Sequence, residues 1–241
     1  MNIIITGASK GIGKAVAEIF AANGHNLFLC ARGEATLYKT MEELMTKYPS
    51  VSIKAKPVDV GKKKEAIAFG RWCLNYGTPD VLVNNAGLFE PGSVYNEPDG
   101  LLESQVETHL YGAYHLTRTV LPKMMQQNPA TNSADWSGRH IFNLCSIASL
   151  DAYPDGGAYS ISKFALYGFS KNLREEMKPH GIKVTHVIPG AAYTGSWSGS
   201  SINPKRIMEA SDVAKMIYAA SQLSLQACVD EIVIRPQLGD L

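Results

Sequence analysis

The 241-residue chain is 45% apolar and 19% charged, the balance of an ordinary globular protein long enough to bury a sizeable core. Its formal net charge of +1, without a basic block, points to neither nucleic acid nor an acidic membrane surface as a partner. No apolar run approaches the roughly 20 residues of a membrane span. The cysteines (Cys30, Cys73, Cys145, Cys228) and histidines show no metal-like spacing, so no metal site is expected. A reducing, cytoplasmic location without a signal peptide is expected as well.

In chain order, short β-branched runs alternate with longer amphipathic segments. The first strand is NIIIT (2–6), followed by a helix to about Asn23. NLFLCA (26–31) precedes a helix over 34–47, and VSIKAKPV (51–58) a helix near 62–76. DVLVN (80–84) leads into a long helix near 101–127. After the polar stretch 126–138, expected as a surface loop, RHIFNLCS (139–146) is a strand and the helix near 157–178 follows. KVTHVI (183–188), a helix near 211–221 and DEIVI (230–234) complete the pattern. Seven strands alternating with helices predict one α/β domain over 1–241, a doubly wound parallel sheet with helices on both faces.

The first strand-to-helix turn, TGASKGIG (6–13), carries Gly7, Gly11 and Gly13. Glycines there permit a tight turn and bring backbone N–H groups to a phosphate at a helix N-terminus. After the second strand, an acidic residue would bind the ribose 2′-hydroxyl of NAD, whereas a basic one would accept a 2′-phosphate. Ala31 stands at the acid's position, Arg32 follows, and Lys10 lies inside the glycine turn, which favours NADP(H). Tyr159 and Lys163, four apart on a predicted helix, share a face one turn apart.

With these motifs in order along nearly the whole chain, the sequence resembles the short-chain dehydrogenases/reductases, whose domain is a Rossmann fold. TGASKGIG resembles their TGxxxGxG cofactor turn, with Ser9 and Ile12 beside the glycines. Asp59-Val60 looks like the adenine-contacting pair, and NNAG (84–87), with Asn85, Ala86 and Gly87, like the element lining the adenosine ribose. Ser146 and Tyr159-x-x-x-Lys163 match the catalytic serine and YxxxK, and Pro189, Gly190 and Thr194 the PGxxxT segment beside the nicotinamide. The resemblance implies that Tyr159 is the proton donor, that Lys163 also binds the nicotinamide ribose, and that Ser146 holds the substrate oxygen. The ammonium beside the phenol, together with the positive nicotinamide of the oxidised cofactor, should lower its pKa from about 10. The resemblance further implies a homodimer or homotetramer through the two long helices, although Tyr111, Tyr114, Phe164, Tyr167 and Phe169 also suit core or helix-interface packing.

Two positions depart from the pattern or leave it open. In VETHLYG (106–112), His109 stands where the family keeps the Asn of a Ser–Tyr–Lys–Asn proton relay. It either replaces the Asn, as a group able to take up a proton near neutral pH, or is a buried, hydrogen-bonded packing residue. The segment of about 191–209 is the family's variable substrate loop, here rich in Gly and Ser with Tyr193 and Trp197 as its large side chains, and reads as a mobile lid. The C-terminal DEIVIRPQLGDL and PGAAYTGSW are similar to bacterial sepiapterin reductase-like members, in which an aspartate such as Asp240 would hold a pterin. These features leave three functions open: an NADPH-dependent reductase of a small carbonyl such as a pterin side chain or diketone; an NADP-dependent hydroxy-acid or 3-hydroxy amino-acid dehydrogenase; and a non-catalytic NADP(H)-binding redox sensor.

Overall fold

Three isoleucines in a row, Ile3-Ile4-Ile5, explain the layering of the molecule. In the computed structural model, which describes residues 1–126, 138–195 and 202–240, all three are fully buried, on opposite faces of one strand. Ile3 and Ile5 pack with Val16, Phe20, Leu37 and Val213, whereas Ile4 packs with Phe69, Leu116, Val120 and Leu173. A strand covered on both sides reads as a continuous apolar run, not as an alternation.

The strands are β1 (Asn2–Thr6), β2 (Asn26–Ala31), β3 (Ile53–Pro57), β4 (Val81–Asn84), β5 (His140–Leu144), β6 (Lys183–Pro189), β7 (Ala192–Tyr193), β8 (Met208–Glu209) and β9 (Glu231–Ile234). Seven form a parallel sheet in the order β3-β2-β1-β4-β5-β6-β9. The helices are α1 (Gly11–Ala22), α2 (Glu34–Lys47), α3 (Lys63–Leu74), α4 (Leu101–Val106), α5 (Gly112–Gln126), α6 (Gly157–Met177) and α7 (Ala210–Ser221). α1 packs on α7 across one face, and α3 on α5 across the other. This is the doubly wound Rossmann arrangement, and its order reverses between β1 and β4, where a crevice opens at the carboxyl ends of the strands. No helix of the described residues is long and apolar enough to cross a membrane.

Two segments differ from the sequence expectation. The long helix of 101–127 is not regular: a π turn, Glu107–Tyr111, separates α4 from α5. Such an insertion adds a residue to a turn without changing the apolar pattern much, and it commonly marks a functional position. In the segment of 191–209, expected as a mobile lid, the two ends pair as the parallel strands β7 and β8, and 196–201 lie outside the described residues. Trp197 and nearly all of the polar stretch 126–138 lie outside the described residues.

Candidate active site

The crevice is a cavity of about 820 Å³, and the glycine turn forms one wall. Gly7 and Gly11 have φ of +66° and +56°, a conformation that costs other residues strain. A Cβ on Gly13 would lie 2.3 Å from the Gly7 carbonyl oxygen, so only glycine lets α1 start this close to β1. The turn is stitched to the segment after β4. The Thr6 hydroxyl accepts from the N–H groups of Asn85 (3.0 Å) and Ala86 (2.9 Å), and the Asn85 side-chain amide donates to the carbonyls of Thr6 (2.8 Å) and Gly7 (3.2 Å). No side chain caps the start of α1, so its first-turn amides can serve an outside acceptor such as a phosphate.

At one end of the cavity Lys10 and Arg32 are exposed beside Ser9, Gly11, Gly33 and Thr36. Neither cation is ion-paired among the described residues. Asp59 turns the chain after β3: its N–H donates to Glu65 and its carboxylate accepts from Gly61 N–H (3.1 Å). Val60 is buried, and Gly112 lets α5 approach it, since a Cβ there would meet a Val60 methyl at 3.0 Å. Ile12, Gly87, Pro189, Gly190 and Thr194 also line the cavity, so the sequence-predicted cofactor residues converge on it, apart from Gly13, which holds the turn from behind.

At the other end α6 presents Tyr159 and Lys163, and Ser146 lies two residues after the end of β5. Ser146 caps a short 3₁₀ turn, Ile147–Ser149, in a reciprocal box with Ser149, while the Ser160 hydroxyl ties α6 to that turn through the Ala148 carbonyl (2.8 Å). The protein groups around the phenol act against the lowering expected with the oxidised cofactor bound. Burial pushes Tyr159 up to about 12, against a smaller opposing pull from the Ser146 hydroxyl beside it. The Lys163 ammonium donates to the Leu144 carbonyl at 2.8 Å and lies 5.7 Å from the centre of the Tyr159 ring. Its own burial brings Lys163 down to about 8. Desolvation therefore outweighs the pull of the Ser146 hydroxyl, and the phenol keeps its proton at neutral pH.

His109 sits in the π turn and is 1% exposed. Nε2 accepts from the Leu88 N–H at 3.1 Å, and Nδ1 lies 2.8 Å from the Ser162 hydroxyl. Burial first, then the charge of Lys163, holds the imidazole well below its usual range, which does not suit a group exchanging protons near neutral pH. Both ring nitrogens are thus engaged by protein groups, as the packing alternative for His109 expects.

Sequence reasoning missed Phe89, Asp151, Tyr153 and Arg235, which line the catalytic end. Phe89 meets the Tyr159 ring edge-on at 4.9 Å. Arg235 pairs with Asp240 and, at 3.5 Å, with Asp151. Asp240 does line the cavity, with one carboxylate oxygen buried against Gly190. Tyr193, by contrast, is exposed outside the cavity lining. Tyr111, Tyr114 and Phe164 are likewise exposed on the long helices and not core, whereas Tyr167 and Phe169 are partly buried.

The sequence model of the short chain dehydrogenase family matches residues 1–204. An uncharacterised oxidoreductase of Bacillus subtilis, YusZ, is 33% identical over 200 residues, covering 83% of this chain and 68% of its own. Among solved structures, an alcohol dehydrogenase of the archaeon Thermococcus sibiricus complexed with 5-hydroxy-NADP superposes with a TM-score of 0.87 at 25% identity, covering 98% of this chain and 96% of its own. A metagenomic short-chain oxidoreductase in complex with NADP gives 0.82 at 26% identity, covering 98% and 97%.

Proposed function

The chain belongs to the short-chain dehydrogenase family, and on that premise we propose that it is an NADPH-dependent reductase of a small carbonyl compound. The observation that carries this reading is that Tyr159 and Ser146 line the same cavity as a glycine turn and two cations, Lys10 and Arg32, that have no ion pair among the described residues. The cavity residues fit NADP(H). The cradle that a Cβ on Gly13 would close suits a pyrophosphate, and Lys10 and Arg32, with Ala31 in place of an acid, suit a 2′-phosphate. The cofactor-bound structures of similar chains support the same choice.

When bound, NADPH supplies the hydride. The protein's part is to deliver the proton and hold the carbonyl. The Ser146 hydroxyl donates to the carbonyl oxygen, and the Tyr159 hydroxyl gives that oxygen its proton as the C–O bond becomes an alcohol. Lys163 keeps positive charge near the phenolate left behind and so stabilises it until solvent returns the proton. Phe89 and Tyr153 offer aromatic surface to a flat substrate, and Asp151, Arg235 and Asp240 offer polar groups at its edge, which suits a pterin side chain or a small diketone.

Tyr111, Tyr114, Ile161 and Phe164, exposed on α5, α6 and the π turn, supply an apolar face suited to a second copy of the chain, so a homodimer or homotetramer is part of the proposal. The deciding experiment follows NADPH absorbance across a panel of ketones, diketones and pterins. Loss of NADPH with a member of the panel, abolished in Tyr159→Phe, is the expected result. Tight NADPH binding without turnover on any of them would favour a redox sensor.

A further inference from the structure

The polarity of the hydrogen bonds around His109 fixes its chemical form. A backbone N–H can only donate, so Nε2, which faces the Leu88 N–H, carries no proton. The proton of the neutral ring is then on Nδ1, which donates to the Ser162 oxygen. The Ser162 hydroxyl in turn donates to the Tyr159 carbonyl at 2.7 Å. One directed chain thus runs from the backbone after β4, through the imidazole, to the turn of α6 that bears the phenol. The imidazole also meets the Tyr159 ring edge-on at 5.6 Å, and Phe89, next to Leu88, meets that same ring. Room for the imidazole comes from Gly87, where a Cβ would lie 3.1 Å from Nε2.

We infer that His109 is a positioning residue, a neutral latch that ties Leu88 and Phe89 to the Tyr159 turn of α6 through Ser162 and so sets the aim of the phenol. Its catalytic consequence rests on the reductase reading above; its structure does not. Protonating Nε2 would set a donor against the Leu88 donor and add a charge beside Lys163, so the latch holds only while the ring is neutral. Lys163 and Tyr159 are the titratable groups that α6 turns toward it, and the Leu88 segment presents its backbone N–H.

The latch makes different demands on different replacements. A glutamine carries an acceptor and a donor about as far apart as the two ring nitrogens, so His109→Gln can rebuild both bonds. Leucine can rebuild neither. Ser162→Ala cuts the chain one link further on while removing only a hydroxyl.

The test has two arms. The first needs no turnover: ¹⁵N NMR of the histidine rings and hydrogen exchange of the Leu88 amide. The expected result is an Nδ1–H ring at His109 that stays neutral between about pH 5 and 8, with Leu88 protection lost in His109→Leu. The second arm measures reduction of a diketone that the parent accepts. His109→Leu and Ser162→Ala should each lower kcat by about 10–100-fold, the cost of a misplaced reacting group. NADPH affinity should stay near the parent's, the double variant should be no worse than either single one, and His109→Gln should regain most of the rate. A ring that titrates near pH 6–7 together with kcat, or a parental kcat in Ser162→Ala, overturns the latch. A parent that reduces nothing sinks the reductase reading and leaves the first arm to decide the latch alone.

Discussion

The two ends of the cavity are built in different ways. At the glycine turn the wall is backbone: Gly7, Gly11 and Gly13 hold it open, and Thr6 and Asn85 lock it to the segment after β4. At the catalytic end the wall is side chains delivered by segments far apart in sequence: Phe89 after β4, Asp151 and Tyr153 after β5, Tyr159 on α6, Arg235 and Asp240 after β9. Backbone walls tolerate no added atom, whereas side-chain walls can be edited one group at a time. Substitutions at the first end should damage geometry and cofactor binding together. Those at the second should separate rate, substrate affinity and cofactor affinity.

The sharpest separation is expected at Tyr159. Tyr159→Phe removes one hydroxyl and should lower turnover by about 10²–10⁴-fold, the usual range for a general acid. NADPH binding should be nearly unchanged by fluorescence titration, because the rest of the ring, between Phe89 and His109 contacts, is kept. A variant with parental turnover on an accepted substrate would show that the proton comes from elsewhere.

The same contrast decides how much the sequence reveals. The glycine turn was legible because its function lies in the backbone, and glycines at that spacing have few other uses between a strand and a helix. Tyr159 and Lys163 were legible because a single helix turn joins them. The helix over 34–47 was likewise plain, with a glycine before it and a regular apolar stripe. The π turn was not, since one extra residue in a helix of 101–126 barely disturbs a 3.6-residue period. Phe89, Asp151, Tyr153 and Arg235 carry no local pattern, because only the fold brings them together. The direction of the Tyr159 shift was missed for a related reason: sequence spacing reports the neighbouring ammonium, but not how much water the phenol loses or that Lys163 donates to Leu144.

At the backbone end, Gly13→Ala should come next in size. Its Cβ would stand 2.3 Å from the Gly7 oxygen and 2.4 Å from the Asn85 amide nitrogen, so the turn must move. NADPH affinity should fall more than about tenfold, and overpacking of this kind should cost about 1–3 kcal/mol of stability. Gly168→Ala is the matched control. It lies inside α6 at ordinary φ with nothing of its own chain within 4 Å of the added atom, so within one protomer it should stabilise by about 0.5–1 kcal/mol. If thermal unfolding ranked the two the other way, the turn would not be the tight element described here.

A smaller effect, but a selective one, is expected at Arg32. Removing the guanidinium should cost NADPH binding about 1.5–3 kcal/mol, the range of a hydrogen bond to a charged group, and leave NADH binding almost as it was. Because Arg32 is exposed, raising the salt concentration should narrow the difference between parent and Arg32→Ala. Equal losses for the two cofactors would mean that Arg32 does not meet the 2′-phosphate and that the choice lies with Lys10.

The smallest effects belong to the polar edge of the catalytic end, and they test whether the two ends are separate at all. Arg235 is shared between Asp151 and Asp240, and Arg206 holds the tail in place by donating to the carbonyls of Leu238 (3.2 Å), Gly239 (2.9 Å) and Asp240 (3.1 Å). The Asp240 carboxylate also packs on Gly190, in the segment expected beside the nicotinamide: a Cβ at Gly190 would meet it at 2.6 Å. The tail therefore touches both the polar edge and the segment expected beside the nicotinamide. Exposed pairs such as Arg235–Asp151 contribute about 0.2–1 kcal/mol, so Asp151→Asn should change KM for the carbonyl by no more than about fivefold. Asp240→Asn keeps the shape and removes the charge next to Gly190. If the edge serves the substrate, it should change the KM of polar carbonyls and leave that of an apolar ketone, and the NADPH affinity, in place. A change in NADPH affinity with no discrimination among carbonyls would put the C-terminal tail in the cofactor half of the cavity instead.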